Sequence, residues 1–102
     1  MKNYKLIITP LAKGDIAAIV EYLINFSPEI ALRYADYIYE AIHSLAKMPT
    51  RCSLVRDEVL KIKGYRWTSV RNYTIFFIVD DTLDIVRIER VLYSRREYDI
   101  IL

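Results

Sequence analysis

The residues of this chain best suited to chemistry are arginines and tyrosines gathered near its C-terminal end. Arg90, Arg95 and Arg96 lie close together in the sequence, with Tyr93 and Tyr98 among them. A guanidinium group binds phosphate or carboxylate through two parallel hydrogen bonds, and a phenol stacks on bases and donates or accepts protons. This combination predicts a docking surface for RNA, DNA or an acidic protein segment.

A basic stretch precedes this cluster. Lys61, Lys63, Arg66 and Arg71 follow one another with no acidic residue between them, although the net charge of the whole chain is only +2. A local concentration of positive charge matters more than net charge for binding a phosphate-rich partner. The stretch is equally consistent with an ordinary solvated face of a sheet.

The composition excludes several common kinds of active site. With only 2 glycines in 102 residues, the chain has no glycine-rich loop to cradle a nucleotide phosphate. Cys52 is the only cysteine and His43 the only histidine. One chain can therefore form neither a disulfide nor a metal site with several cysteines or histidines. We expect no metal and no cofactor, and we expect His43 on the surface.

The length of 102 residues predicts a single domain that spans residues 1–102. The longest uncharged runs, such as Asn72 to Val79, are far shorter than the roughly 20 residues of a membrane-spanning helix. The N-terminal residues lack the apolar core and the cleavage site of a secretory signal. We therefore expect a cytoplasmic protein with no membrane partner.

The first half of the chain predicts a strand followed by two helices. Tyr4 to Ile8 is rich in branched residues, as is typical of a strand. Thr9-Pro10 and Ser27-Pro28 each supply an N-cap residue and a proline at the first helical position. A short connection between the helices predicts an antiparallel hairpin. Apolar residues then recur at helical spacing: Ala12, Ile16, Ile19, Val20 and Leu23 in the first helix, and Ile30, Tyr34, Ile38, Ala41, Ile42 and Leu45 in the second.

The second half predicts a sheet. Residues 50–57 predict a loop or a short edge strand, and strand-like stretches follow near Val59 to Ile62, Tyr65 to Arg71, Tyr73 to Val79 and Asp84 to Leu92. This order predicts an α+β fold, in which an N-terminal strand and a two-helix antiparallel hairpin precede a mainly antiparallel sheet of about three to four strands. Arg90 shares the parity of Val86 and Ile88, so either a bulge resets the alternation there or this arginine reaches into a pocket.

Several pieces of the chain, in their order and spacing, resemble one known family: Tyr4-Lys5-Leu6-Ile7-Ile8-Thr9-Pro10, Ser27-Pro28, Gly64-Tyr65-Arg66, Asn72-Tyr73-Thr74-Ile75-Phe76-Phe77 and Ile88-Glu89-Arg90-Val91-Leu92-Tyr93-Ser94-Arg95-Arg96. They resemble the toxins of the RelE/ParE superfamily, the stable partners in type II toxin–antitoxin modules, which are also known as plasmid stabilisation proteins. The resemblance covers nearly the whole length. It implies growth inhibition, and it implies a small antitoxin that wraps an extended or helical segment over the toxin.

The superfamily has two activities, and residue 74 bears on the choice between them. In the branch that cleaves messenger RNA on the ribosome without metal, an arginine typically follows the tyrosine that Tyr73 resembles. Thr74 stands there in this chain, and the branch that inhibits DNA gyrase typically has an uncharged residue at that place. Arg90-Val91-Leu92-Tyr93 also resembles the second pattern, although Tyr93 replaces the usual histidine. We therefore expect a ParE-like toxin that acts on DNA gyrase, with a ribosome-dependent mRNA endoribonuclease as the alternative.

The candidate residues have different roles under these alternatives. For gyrase, the resemblance implies that the basic residues are binding contacts: Arg66, Arg71, Arg90, Arg95 and Arg96. For mRNA cleavage, Arg66 together with Arg95 or Arg96 would stabilise the phosphate, and Tyr93 or Tyr98 would transfer protons or stack on a base. A third alternative is an inactive toxin-like domain that only binds an antitoxin. Arg90 is as well explained by pairing with a nearby acid as by binding.

Overall fold

The computed structural model describes residues 2–95, which fold into a helical layer and a sheet. The elements follow in chain order: β1 (Lys5–Ile8), α1 (Pro10–Ile24), α2 (Pro28–Ser44), a 3₁₀ turn (Pro49–Arg51), α3 (Glu58–Ile62), β2 (Arg66–Val70), β3 (Tyr73–Asp80) and β4 (Ile85–Tyr93). No helix within residues 2–95 combines the length and the apolar composition needed to cross a membrane.

The sheet has the strand order β1-β4-β3-β2. β3 pairs antiparallel with both β2 and β4. β1 pairs parallel with β4, from Lys5 opposite Ile85 to Ile8 opposite Ile88. A parallel pair requires a long crossover connection, which the helices supply together with β2 and β3. The predicted α+β arrangement with a mainly antiparallel sheet is confirmed.

Both long helices begin where the sequence predicts. The Thr9 hydroxyl accepts a hydrogen bond of 3.1 Å from the N–H of Ala12, and Pro10 is the first residue of α1. The Ser27 hydroxyl accepts one of 3.3 Å from the N–H of Ile30 at the start of α2. Each cap satisfies a backbone donor that has no partner within the helix.

The main core lies between the helical hairpin and one face of the sheet. It contains Ala12, Ile16, Ile38, Ile42 and Leu45 from the helical layer and Ile75, Phe77, Val86, Ile88 and Val91 from the sheet. These residues confirm most of the predicted helical stripe. Ile30 is an exception, because it lies in the first turn of α2, beside the exposed connection between the helices, and is 41% exposed.

The predicted strand near residues 59–62 is wrong, because these residues form the short helix α3. The Asp57 carboxylate accepts a hydrogen bond of 3.0 Å from the N–H of Leu60 and caps this helix. Leu60 is buried in a small second core with Phe76, whereas Val59 and Ile62 face outward. Branched residues favour strands, but a local cap and one buried leucine decide this segment.

A bulge in β4 explains the position of Arg90. Phe77 lies opposite Ile88 and Phe76 lies opposite Arg90, so Glu89 is one extra residue in β4. The bulge resets the alternation, because Val86 and Ile88 before it and Val91 after it all face the main core. Of the two alternatives that the sequence left open for Arg90, the bulge is therefore present.

Candidate functional site

Four tyrosine side chains form a continuous cluster at the end of the sheet where β3 begins and β4 ends. Tyr73 and Tyr93 lie opposite each other on these strands, and their ring centroids are 5.9 Å apart. Tyr34 on α2 lies 6.1 Å from Tyr73 and 5.9 Å from Tyr37, which follows it in the helix. All three contacts are edge-to-face, the arrangement that aromatic pairs prefer. We call these four residues the tyrosine cluster.

Two cations lie at this same end of the sheet. Arg71 occupies the turn between β2 and β3 with a φ of 53°, and its guanidinium carbon lies 4.0 Å from the centroid of the Tyr37 ring. The carbonyl of Asn72 accepts a hydrogen bond of 2.9 Å from the N–H of Ser94, which brings Arg95 to this turn. Within residues 2–95, neither Arg71 nor Arg95 belongs to an ion pair. Both arginines are exposed residues.

The phenol of Tyr73 is protonated at neutral pH. Burial raises its pKa above the ordinary value, and the nearby phenols of Tyr34, Tyr22 and Tyr93 add to the rise. A phenol with a raised pKa is a poor general base near pH 7. Tyr73 therefore offers stacking and hydrogen bonding, which are binding interactions.

Arg90, one of the predicted binding residues, is held in an ion pair with Asp15 of α1. Its Nε lies 2.7 Å from Oδ2 of Asp15 and its Nη2 lies 2.9 Å from Oδ1. The two side chains are only 15% and 13% exposed. Hydrogen bonding to Asp15 raises the pKa of Arg90 further above its ordinary value. Of the two explanations of Arg90 from the sequence, the pairing with an acid is the one present in the structure.

Arg66, another predicted binding residue, is also engaged within the protein. Its Nη1 donates a hydrogen bond of 2.6 Å to the carbonyl of Cys52. Arg66 lies opposite Phe77 in the sheet, and Phe77 faces the main core. Directly opposed residues of paired strands share a face, so Arg66 emerges on the helical side and not on the face that carries Thr74.

The opposite face of the sheet carries a cavity of about 590 Å³. Apolar side chains and small hydroxyls dominate its lining: Val55, Leu60, Trp67, Phe76, Ser69, Thr74 and Ser94, with Arg56 and Asp57 as the only charged residues in the lining. The hydroxyls of Thr74 and Ser94 lie 2.9 Å apart and form a hydrogen bond. Thr74, the residue that follows Tyr73 in β3, is therefore buried on this face and engaged with Ser94.

The structure brings together only part of the predicted site. Arg71, Tyr93 and Arg95 share one end of the sheet, whereas Arg66 and Arg90 bind other parts of the protein. Arg96 and Tyr98 lie outside the described residues. Within residues 2–95, no group of histidines, cysteines and acidic residues could hold a metal ion. Tyr34 and Tyr37 also belong to this site, although the helical spacing assigned Tyr34 to a buried stripe. The abundance of tyrosine, 9 in 102 residues, was the available signal for them in the sequence.

Two solved structures share this fold. A structure of the chromosomal ParDE toxin–antitoxin system from P. aeruginosa superimposes with a TM-score of 0.74 at 23% sequence identity, covering 90% of this chain and 97% of that chain. The RelBE2 toxin–antitoxin complex from Mycobacterium tuberculosis gives a TM-score of 0.63 at 22% identity, covering 89% of this chain and 98% of that chain. At these identities the similarity establishes a shared fold.

The sequence places the chain more narrowly. Residues 6–98 match the family described as the ParE toxin of the type II toxin–antitoxin system parDE. The chain belongs to this family, which confirms the resemblance seen in the sequence. Among curated protein sequences, none matches the chain significantly.

Proposed function

We propose that the protein is a cytoplasmic, growth-inhibiting toxin that acts on DNA gyrase and is neutralised by a small antitoxin. Membership of the ParE toxin family supports the toxin class. The choice of gyrase over messenger RNA rests mainly on Thr74 and the sheet face around it.

Within residues 2–95, Arg56 is the only cation that lines the cavity on this face. Metal-independent RNA cleavage requires positive charge to stabilise the crowded phosphate, together with a base and an acid for proton transfer. Thr74 is 5% exposed and bonded to Ser94. Arg66 binds the Cys52 carbonyl, and Arg90 binds the Asp15 carboxylate. Two of the arginines that could replace a missing phosphate-binding cation, Arg66 and Arg90, are therefore committed elsewhere, whereas Arg71 and Arg95 are exposed at the end of the sheet. This argument supports a toxin that binds its target and does not cleave RNA.

The end of the sheet is the surface that suits a protein target. Arg71 and Arg95 are exposed beside the tyrosine cluster, and Tyr93 is 42% exposed. Tyrosine and arginine are enriched among the residues that dominate binding energy at protein interfaces. We infer that these side chains contact gyrase and do not act as catalysts.

An antitoxin partner is supported by the neighbouring structures and by exposed apolar side chains. The two similar structures are toxin–antitoxin systems. The helical hairpin of this protein exposes several large apolar side chains: Tyr22 at 60%, Phe26 at 69%, Leu32 at 68% and Tyr39 at 40%. Apolar surface of this kind is typical of a site covered by another protein.

Pulse labelling tests the proposed target. The protein is induced alone in a bacterial host, and incorporation of thymidine and of amino acids is followed over the first minutes. We expect DNA synthesis to fall first. An earlier fall in protein synthesis would instead identify the ribosomal nuclease, and no change in either would identify an inactive, antitoxin-binding domain.

A further inference from the structure

The cavity on the face of the sheet opposite the helical hairpin lies between β2, β3 and α3. Trp67 lies opposite Phe76 and Ser69 lies opposite Thr74, so these four residues share one face. Phe76 packs with Leu60 of α3 in the second core. The sheet and α3 therefore form two walls of the cavity. Its volume of about 590 Å³ falls within the roughly 300–1,000 Å³ that is typical of ligand sites.

Trp67 gives this cavity an exposed aromatic wall. It is the only tryptophan of the chain and is 42% exposed. The other large apolar residues of the lining, Val55, Leu60 and Phe76, are at most 8% exposed. The indole and this buried floor form one contiguous apolar surface, which is typical of an interaction site. Tryptophan is also enriched among the residues that dominate binding energy at protein interfaces.

The charges of the lining favour a protein occupant over a nucleic acid. Arg56 and Asp57 are the only charged residues in the lining, and their charges cancel. The Asp57 carboxylate caps α3, whereas Arg56 is exposed and belongs to no ion pair in the described part of the chain. A phosphate backbone binds to several cations at once. The lining matches instead an apolar side chain with one carboxylate beside it.

The cavity continues the surface at the end of the sheet that we assign to the target. Ser94 lines the cavity and directly precedes Arg95, and its N–H donates to the carbonyl of Asn72, next to Arg71. Both arginines are exposed. The exposed apolar side chains that suit the antitoxin belong instead to the helical hairpin, on the other side of the sheet. A target bound at the end of the sheet can therefore reach into the cavity.

We propose that this cavity is the anchor site for gyrase. A large apolar side chain of gyrase enters between Trp67 and α3, and Arg56 pairs with a carboxylate beside that side chain. The apolar contact supplies most of the affinity because it removes the indole and its partner from water. The ion pair at the exposed rim contributes less. The inference rests on the proposed function, because the occupant belongs to gyrase.

Filling the cavity tests the anchor. Ser69→Phe adds an aromatic ring to the lining at an exposed strand position, where aromatic residues are favoured. Thr82→Phe is the matched control, because it adds the same ring at an exposed position between β3 and β4, at the far end of the sheet. Inhibition of gyrase supercoiling is measured per folded molecule. For half-inhibition we expect Ser69→Phe to require about tenfold more protein, or still more. Thr82→Phe should match the wild type.

Substitutions of Trp67 and Arg56 test the two contacts separately. Trp67→Ala removes the exposed wall and should weaken inhibition by about tenfold or more, whereas Trp67→Phe keeps an aromatic wall and should retain most of it. Arg56→Ala should weaken inhibition by about two- to fivefold and make it less sensitive to salt. Unchanged inhibition by Arg56→Ala would overturn the ion pair.

Antitoxin binding distinguishes loss of the anchor from a wider defect. The small protein encoded by the neighbouring gene should bind every variant as it binds the wild type, because the cavity faces away from the helical hairpin. Full gyrase inhibition by both Ser69→Phe and Trp67→Ala would overturn the inference and leave the proposed function standing. Weaker antitoxin binding by folded Ser69→Phe would also overturn it, because the cavity would then belong to the antitoxin. A wild type that does not inhibit gyrase would instead refute the proposed function.

Discussion

Arg90 on β4 and Asp15 on α1 form a bidentate ion pair, with Nε 2.7 Å from Oδ2 and Nη2 2.9 Å from Oδ1. The same carboxylate accepts a hydrogen bond of 3.0 Å from the N–H of Val91. Asp15 therefore pairs with the charge of Arg90 and accepts a hydrogen bond from the N–H of Val91. This N–H has no strand partner, because it follows the bulge and lies beyond the end of β1. This carboxylate joins the helical hairpin to the sheet beside the candidate site.

Asp15→Ala should destabilise the protein by about 3 kcal/mol, because it leaves a largely buried guanidinium and a backbone N–H without their partner. Urea unfolding followed by circular dichroism measures the change. We expect the midpoint to fall with little change in the slope.

Arg87→Ala is the matched control for this prediction. Arg87 lies on the same strand and pairs with Glu89, but its side chain is 46% exposed. Solvent screens such a pair, so the expected loss is below about 1 kcal/mol. Equal losses in the two variants would show that the Asp15–Arg90 pair contributes no more than a surface pair.

The sequence predicts the two long helices and the sheet because their signals are local. Thr9 and Ser27 cap helices in the structure as their sequence context predicts. The segment from Val59 to Ile62 was misassigned because branched residues favour strands on average. This segment is helical because Asp57 caps it and because Leu60 is buried against Phe76. The contact between Leu60 and Phe76 is a tertiary contact, which the spacing of residues in the sequence does not predict.

The candidate site was harder to predict, because the sequence shows which residues are charged but not which of them are already paired. Arg66, Arg71, Arg90 and Arg95 look alike in the sequence. Only the folded chain places Asp15 beside Arg90 and the Cys52 carbonyl beside Arg66. These contacts join residues far apart along the chain, so no local pattern distinguishes the engaged arginines from the exposed ones.

Replacement of Arg95 and Arg96 together by alanine should abolish most growth inhibition without lowering thermal stability. Arg95 is exposed, and its charge is available to the target. Toxicity is measured from growth after induction, and melting temperature is measured on the purified protein. The control Lys5→Ala with Lys47→Ala removes two exposed cations elsewhere and should leave toxicity unchanged. Full toxicity in the arginine variant would remove this end of the chain from the mechanism.

Stability should fall at alkaline pH in part because of Tyr73. Burial raises the pKa of its phenol in the folded state, whereas the pKa in the unfolded chain is about 10. Between these two values the folded protein binds more protons, so the free energy of unfolding falls as pH rises. Below pH 10 this contribution is fully present.

Tyr73→Phe removes this titration, so its free energy of unfolding should fall less steeply than that of the wild type as pH rises above about 10. Urea unfolding at several pH values measures the two slopes. Tyr39→Phe, at an exposed position of α2, controls for loss of a phenol. Identical slopes for Tyr73→Phe and wild type would show that Tyr73 is not the group that titrates.

Arg66→Ala separates a structural arginine from a catalytic one. The hydrogen bond from Arg66 Nη1 to the Cys52 carbonyl is 2.6 Å long and involves a charged donor, so its loss should cost about 1.5–3 kcal/mol.

If the protein binds gyrase through the other end of the sheet, the folded fraction of this variant should inhibit gyrase supercoiling as strongly as the wild type. A nuclease that uses Arg66 to stabilise the phosphate would behave differently, because its activity per folded molecule would fall by orders of magnitude while the binding surface remained intact. Supercoiling and ribosome-dependent RNA cleavage, both measured per folded molecule, therefore distinguish the two roles.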